Sequence, residues 1–214
     1  PHPALEVLWR RLGVPTAICA FVGDDFPTRY EEEMRDSGLN MDEMVRVKEY
    51  ESSQAMVVND AELRQWVIFY QGPQGCASNL NNMLMKNARI SSYVHFCTGE
   101  PDYYISIMEA MGAAGPKISL DPSQEIYKMW DAPRVHKALG FADSLFCNEY
   151  EAKVIERNLG IKDVMEIDET LVVLVGLQLR RLRRDFRAGV FGSRLKSRLL
   201  LMLSLMAVLP GALV

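Results

Sequence analysis

Five short apolar runs constrain the fold of this chain more strongly than any other feature. Each ends in turn or polar residues and is apolar at successive positions, which is typical of strands buried on both faces. Segments with helical periodicity lie between them, at residues 103–114 and 149–159. This alternation predicts an α/β three-layer sandwich with a mostly parallel central sheet. The five runs are residues 16–22, 93–97, 117–120, 144–147 and 170–175.

One region interrupts the alternation of strands and helices. Residues 44–50, 53–58 and 65–70 are rich in β-forming residues, and no helical pattern separates them. Asn-Asp-Ala at 59–61 supplies a turn between the second and third run. The pattern predicts an antiparallel β-meander inserted at residues 41–72. Such an insertion can cover a ligand site as a lid, and an extension of the sheet edge or a dimer contact fits the pattern equally well.

Composition limits the classes of partner and the compartment. The 214 residues allow a single domain, and the formal net charge of -4 gives no bulk attraction to nucleic acid or to an anionic membrane. The four cysteines show no C-x-x-C spacing and lie apart in sequence from the three histidines. We therefore expect buried free thiols, a reducing compartment and a cytoplasmic protein without a nucleic-acid or membrane partner.

The composition changes at residue 176. Leucine and arginine alternate over residues 177–184, unlike the rest of the chain. One interpretation of this atypical segment is that it contacts a membrane surface or nucleic acid. The apolar stretch at 199–209 is shorter than the ~20 residues that a membrane-spanning helix needs. It predicts a buried helix, with a shortened membrane anchor as the alternative.

Four local patterns occur in a set order along the chain. They are a segment that ends in Gly-Asp-Asp (10–25), residues 34–39 followed by the β-meander, two strand-end loops (98–101 and 120–124) and Asn-Glu-Tyr-Glu (148–151). Together they resemble the ribokinase-like (PfkB) family of small-molecule kinases over residues 5–175. The residues of the two strand-end loops are most similar to those of the archaeal nucleoside kinases in this family. Each pattern alone is unspecific, and the resemblance rests on their order.

The resemblance implies a fold and an activity. The fold would be the ribokinase-like sandwich with an inserted β lid. The activity would be transfer of phosphate from ATP to an alcohol group of a nucleoside or sugar, with ATP and Mg²⁺ as cofactors. Because lid sheets often pair between subunits in this family, the resemblance also implies a homodimer through the lid.

Asn148 and Glu151 carry the Asn-x-x-Glu motif of the family, directly after the predicted strand at 144–147. The resemblance implies that they organise the magnesium and phosphate region, with the metal held through water. Their spacing also predicts a helix N-cap closed by a capping box, which is the alternative. Asp121 ends another predicted strand and is expected either to contact ligand or bound water, or to cap the following turn.

Asp185 is the candidate general base. Phe-Arg-Ala-Gly at 186–189 resembles the helix that follows the Gly-Ala-Gly-Asp catalytic loop of the family, whose aspartate takes the proton of the acceptor hydroxyl. Leu-Arg-Arg at 182–184 stands where the glycines belong, and the family's strand with a substrate-binding aspartate is not seen before Ala4. Asp185 can equally be a helix N-cap. The resemblance therefore implies either an active kinase or a catalytically impaired binding module of the same fold.

Overall fold

The computed structural model of the protein describes residues 13–60, 65–164, 167 and 172–175. These residues form two compact units. The first contains the described residues up to Ile90 together with 99–110, and the second contains 91–98 together with those from Met111 onward. The chain thus passes from the first unit to the second twice.

The first unit begins with a βαβ motif, in which β1 and β2 pair in parallel and α1 connects them. Phe21 and Val22, near the carboxyl end of β1, are buried. The connecting helix buries Met34, and ion pairs between side chains four residues apart stabilise its solvent side. The predicted strand at 16–22 is confirmed. The elements are β1 (Ala17–Gly23), α1 (Thr28–Asp36) and β2 (Asn40–Val47).

The antiparallel insertion is smaller than predicted. Residues 44–47 of the first β-rich run belong to β2 and pair in parallel with β1, so the prediction of a three-run meander is wrong for this run. The other two runs form the β3–β4 hairpin, made of β3 (Gln54–Asn59) and β4 (Gln65–Tyr70). Strand propensity does not specify the partner of a strand, and the α1 crossover brings the first run beside β1.

Helical segments complete the first unit. The buried carboxylate of Glu43 accepts the N–H groups of Lys86 at 2.8 Å and Asn87 at 2.6 Å, and so satisfies the free donors at the start of α2. The helix predicted at 103–114 ends at residue 111, because Gly112 follows with a φ of 69° and terminates it. The segments are a 3₁₀ segment (Gly72–Leu80), α2 (Lys86–Ile90) and α3 (Pro101–Met111).

The second unit contains a four-stranded parallel sheet in the order β5-β6-β7-β8. Ile118, Leu120 and Leu145 are buried in its centre, as expected for strands in a parallel sheet. The prediction of parallel strands is confirmed, and the bounds of the two central strands are those predicted. The strands are β5 (Tyr93–Phe96), β6 (Lys117–Leu120), β7 (Ser144–Cys147) and β8 (Val172–Val175).

Two helices pack with this sheet. α4 (Ala132–Leu139) begins at the N-cap Asp131, whose carboxylate accepts the N–H of Arg134 at 3.0 Å. α5 (Glu149–Leu159) has the predicted bounds and ends at Gly160, which adopts the left-handed conformation with a φ of 68°. It packs against β7, α4 and the 3₁₀ turn Ser123–Tyr127. Short apolar strands and well-capped helices therefore build the edge where the candidate site lies.

The prediction about the cysteines is correct only in part. All four thiols are free, but only Cys147 is buried, whereas Cys76 and Cys97 are partly exposed and Cys19 is exposed. Cys19 lies in the first half of β1, where the side chains are less buried than in the second half. An apolar run in the sequence therefore does not guarantee that every residue of the run is buried. Within the described residues, no helix combines the length and the apolarity required to cross a bilayer. The stretch at 199–209 lies outside the described residues.

Candidate functional site

The candidate site lies at the carboxyl edge of the parallel sheet in the second unit. Asp121 directly follows β6, and Asn148 directly follows β7. These strands are neighbours, with Leu120 paired to Leu145, so both side chains start from the same edge. Glu151 lies in the first turn of α5. Ligands of open parallel sheets bind beyond this edge.

Asn148 and Glu151 form a capping box. The Oδ1 atom of Asn148 accepts the N–H groups of Tyr150 at 2.9 Å and Glu151 at 3.0 Å. In return, Oε2 of Glu151 accepts the N–H of Asn148 at 2.7 Å. The alternative interpretation of the motif is therefore present in the structure. The capping box uses Oδ1 of Asn148 and Oε2 of Glu151, so Nδ2 of Asn148 and Oε1 of Glu151 are not part of it.

Glu151 is a buried carboxylate in an unfavourable electrostatic environment. Its side chain lies among buried residues, and the residue is only 7% exposed. Burial raises the pKa of Glu151, and the negative charge of Asp121 raises it further. The hydrogen bonds with Asn148 act in the opposite direction but do not offset these two effects. A cation near the two carboxylates would relieve their repulsion.

Asp121 has a structural role that the sequence also predicted. Its Oδ1 accepts the N–H of Ser123 at 3.0 Å and so caps the turn that follows β6. Its charge also reaches the thiol of Cys97, which follows β5. Burial and then Asp121 raise the pKa of Cys97 to about 11. Burial, followed by Glu151 and Asp121, raises the pKa of Cys147 to about 12. Both thiols are therefore protonated at neutral pH and unsuited to nucleophilic chemistry.

The donor set fits magnesium rather than a metal that needs a protein cage. Among the described residues, no group of three or more histidine, cysteine, aspartate or glutamate side chains is arranged to hold a metal ion. Magnesium keeps several waters and needs only one or two carboxylates from the protein. Glu151 and Asp121 supply oxygen ligands of this kind, close enough for their charges to interact. Asn148 would take part through its Nδ2 group, because its oxygen is already engaged in the cap.

An aromatic side chain near Glu151 was not predicted from the sequence. Tyr127 ends the 3₁₀ turn after β6 and is 55% exposed. Burial raises the pKa of Tyr127, and the neighbouring charge of Glu151 contributes to this shift. The loop after β6 was recognised only by its Asp-Pro start, and the turn that brings Tyr127 back toward α5 has no signal of its own in the sequence.

A second set of polar contacts occurs in the first unit, at the carboxyl end of β1. Asp25 accepts the N–H of Ser52 at 2.6 Å, and Arg46 contacts Glu31 at 2.6 Å. Gly23, Asp24 and Asp25 form a motif in the sequence, but their contacts were not predicted, because the partner residues are more than 20 positions away. Asp185, the candidate base, lies outside the described residues, as do residues 182–184 and 186–189.

Comparison with known proteins gives consistent matches. The model of the pfkB family carbohydrate kinases matches residues 7–175. A nucleoside kinase of Methanothermobacter thermautotrophicus is 30% identical over 154 residues, which are 71% of this chain and 48% of that protein. The Burkholderia thailandensis nucleoside kinase in complex with inosine matches with a TM-score of 0.69 at 21% identity, over 80% of this chain and 54% of that one.

Another solved structure agrees with these matches. The Methanocaldococcus jannaschii nucleoside kinase, an archaeal member of the ribokinase family, has a TM-score of 0.67 at 20% identity and covers 81% of this chain and 56% of that one. The Burkholderia protein is also known in complex with ADP-inosine. The fold is therefore ribokinase-like, as predicted. This chain spans about half the length of the relatives it matches, between 48% and 56%.

Proposed function

Because the chain belongs to the pfkB family of carbohydrate kinases, we propose that it acts in ATP-dependent phosphate transfer to an alcohol group of a nucleoside or sugar. The observation that carries the proposal is the buried Glu151 carboxylate, whose pKa is raised by burial and by the charge of Asp121, and whose Oε1 atom is not used by the capping box. Phosphate transfer depends mainly on positioning and on neutralising charge. A strained carboxylate pair at the carboxyl edge of a parallel sheet suits the binding of magnesium and phosphate.

A nucleoside is the acceptor we propose first. The relative from Methanothermobacter is named a nucleoside kinase, and the similar Burkholderia enzyme is solved with inosine. Both names support a ribose hydroxyl as the group that receives phosphate. A free sugar is the second candidate, because the family as a whole is described as carbohydrate kinases.

The residues of the second unit would have distinct roles. Glu151, with Asp121 beside it, would hold the waters of Mg²⁺, and Asn148 would donate from Nδ2 to a phosphate oxygen or to such a water. Bound magnesium supplies positive charge to the phosphates. We propose Asp185 as the base that accepts the proton of the acceptor hydroxyl. The cytoplasm is the proposed location, supported by four free cysteines.

We propose the β3–β4 hairpin as a lid over the acceptor at the carboxyl end of β1. Both faces of the hairpin are apolar and exposed. One face carries Met56 and Ile68, which are paired and 64% and 69% exposed, and the other carries Val57 and Val67, which are paired and 48% and 41% exposed. Two apolar faces suit two occupants, a ligand on one and a second copy of the chain on the other.

The homodimer belongs to the more exposed face. Replacement of Ile68 by Lys should lower the molecular weight in sedimentation equilibrium from dimer to monomer, because a charge would be buried in the contact. The matched control is Val67→Lys on the other face, which should remain dimeric. A wild-type chain that is monomeric at high concentration would disprove the dimer.

A catalytically impaired binding module is the second candidate function. The observation in its favour is Leu-Arg-Arg at 182–184 in place of the glycines that bring backbone N–H groups to the transferring phosphate. Such a module would bind nucleoside or nucleotide without turnover. The two candidates share the site and differ only in chemistry.

One experiment separates the two candidates. Purified protein is incubated with ATP, Mg²⁺ and inosine, adenosine or ribose, and ADP formation is measured, alongside melting temperatures with and without each compound. An active kinase forms ADP only when acceptor and Mg²⁺ are both present. A binding module melts at higher temperature with a ligand but forms no ADP. If no compound changes either quantity, both functions are excluded for this chain.

A further inference from the structure

We propose that Asp25 is a positioning residue that fixes the root of the β3–β4 hairpin to the carboxyl end of β1. The proposal extends the function above, because it rests on the hairpin acting as a lid over the acceptor. Asp25 itself would not touch the reacting atoms. It would determine where the lid stands when the acceptor binds, and so control the apparent affinity for the acceptor.

Three backbone segments approach each other closely at the root of the hairpin. A Cβ atom at Gly23 would overlap with backbone atoms of residues 50–52, which lead into the hairpin. Gly72 follows the hairpin, and a Cβ there would lie 2.7 Å from the carbonyl oxygen of Glu51. Glycines are thus required on both sides of the segment that enters the hairpin. The root of the hairpin is therefore pressed against the end of β1.

A set of hydrogen bonds holds the root of the hairpin. Oδ1 of Asp25 accepts the N–H of Ser52 at 2.6 Å, and Oδ2 accepts Nε2 of Gln54 at 3.5 Å. The Ser52 hydroxyl accepts the N–H of Gly23 at 3.0 Å, so Ser52 is bound to β1 and to the following loop at once. Ser52 is only 9% exposed, which limits competition by water.

The segment that leaves the hairpin is bound to the segment that enters it. The hydroxyl of Ser53 donates to the carbonyl oxygen of Gln71 at 2.6 Å and so joins the entering and leaving segments. Beyond this point all residues of β3 are exposed, as are residues 67–70 of β4. Little packing holds the body of the hairpin among the described residues. Its orientation is consequently set at the root, where Asp25 makes the shortest contact from the β1 side.

Asp25, rather than Ser52, is the residue that we expect to set the orientation of the hairpin at its root. The N–H of Ser52 lowers the pKa of Asp25, so the carboxylate stays ionised near neutral pH and its hydrogen bond is charge-assisted. Asp24, the adjacent residue, offers a matched comparison. Within the described part of the chain its carboxylate makes no hydrogen bond or ion pair, and only its backbone is engaged, with Tyr50 and Arg46.

The test compares Asp25→Ala, Asp25→Asn and the control Asp24→Asn with the wild-type chain. Hydrogen exchange of the amides at 54–59 and 67–70 is measured relative to those of β6 and β7. In Asp25→Ala we expect exchange in the hairpin to rise about tenfold, with β6 and β7 unchanged. Asp25→Asn keeps an acceptor for the Ser52 N–H and should recover most of the protection. Asp24→Asn should behave as wild type.

Kinetics give a second and independent readout. With inosine as acceptor, Asp25→Ala should raise KM about tenfold and change kcat less than twofold, because the lid is misplaced but the chemistry is intact. Unchanged hairpin exchange in Asp25→Ala, or unchanged KM with a turnover defect, would overturn the role of Asp25. If wild type forms no ADP, the kinase function fails while exchange in Asp25→Ala still decides whether Asp25 holds the root.

Discussion

Two carboxylates in this protein accept nearly the same hydrogen bond, and yet their pKa values are shifted in opposite directions. Asp25, at the end of β1, accepts the N–H of Ser52 at 2.6 Å, and Glu151, after β7, accepts the N–H of Asn148 at 2.7 Å. The pKa of Asp25 is lowered, mainly by that hydrogen bond, whereas the pKa of Glu151 is raised, mainly by burial.

The difference lies in the surroundings rather than in the bond. Asp25 is exposed, so water stabilises its charge and the N–H of Ser52 adds to that stabilisation. Glu151 is buried and has Asp121 nearby, so its charged form is disfavoured and its pKa is raised. A carboxylate that stabilises the fold is satisfied by its surroundings, whereas a buried carboxylate with a raised pKa is a candidate for the cation site proposed above. We interpret the β1 end as architecture and the β7 end as chemistry.

The largest effect should follow a change in the architecture at the β1 end. Gly23→Ala places a Cβ against the backbone of residues 50–52, which cannot move aside as a side chain could. We expect the free energy of unfolding to fall by about 3 kcal/mol in chemical denaturation. The control is Gly140→Ala, where φ is -65° and the nearest atom is 3.3 Å away. Equal stability of the two variants would remove the architectural interpretation.

The next largest effect tests the chemistry at the β7 end. Glu151→Gln keeps an oxygen for the Asn148 N–H, so the capping box survives while the charge is lost. Mg²⁺-dependent ADP formation should fall about 10- to 100-fold, and Mg²⁺-dependent ATP binding in calorimetry should weaken. The melting temperature should not fall, because a strained charge has been removed. Glu149→Gln, the same change in the same turn, should alter turnover less than twofold. A loss of stability without loss of Mg²⁺ dependence would make Glu151 a cap alone.

The sequence predicted the chemistry end better than the architecture end. β6, β7 and α5 have the predicted bounds, since buried parallel strands are continuous apolar runs and the capping box marks a helix start. The structure adds that β6 and β7 are parallel neighbours, which puts Asp121 and Asn148 at the same edge of the sheet.

The β1 end could not be predicted because its contacts are non-local. Asp25 and Ser52 are 27 positions apart, and neither residue type specifies such a partner. The run at 44–50 was assigned to the wrong sheet for the same reason, since strand propensity carries no information on pairing. Local patterns at strand ends and helix starts are thus legible in the sequence, whereas long-range contacts such as that of Asp25 with Ser52 require the structure.

A smaller effect separates capping from ligand binding at Asn148. Serine caps helices about as well as asparagine or aspartate, so Asn148→Ser and the control Asp131→Ser should each change the free energy of unfolding by less than about 0.5 kcal/mol. Only Asn148→Ser removes an Nδ2 group beside Glu151. The affinity for Mg²⁺-ATP should then fall about fivefold in this variant and stay unchanged in Asp131→Ser. Unchanged affinity in both would limit Asn148 to the cap.

The smallest effect is the opposite pH dependence of the two carboxylates. The folded pKa of Glu151 lies above its ordinary value of 4.5, so its contribution to stability is greatest below that pH and is lost as the pH rises through the folded pKa. The advantage of Glu151→Gln in melting temperature should therefore grow with rising pH. Asp25 has a folded pKa below its ordinary value of 3.8, so its contribution is present above that pH and is lost as the pH falls. The deficit of Asp25→Asn should accordingly shrink on acidification. Parallel pH curves for wild type and both variants would show that the two sites do not differ in the way described.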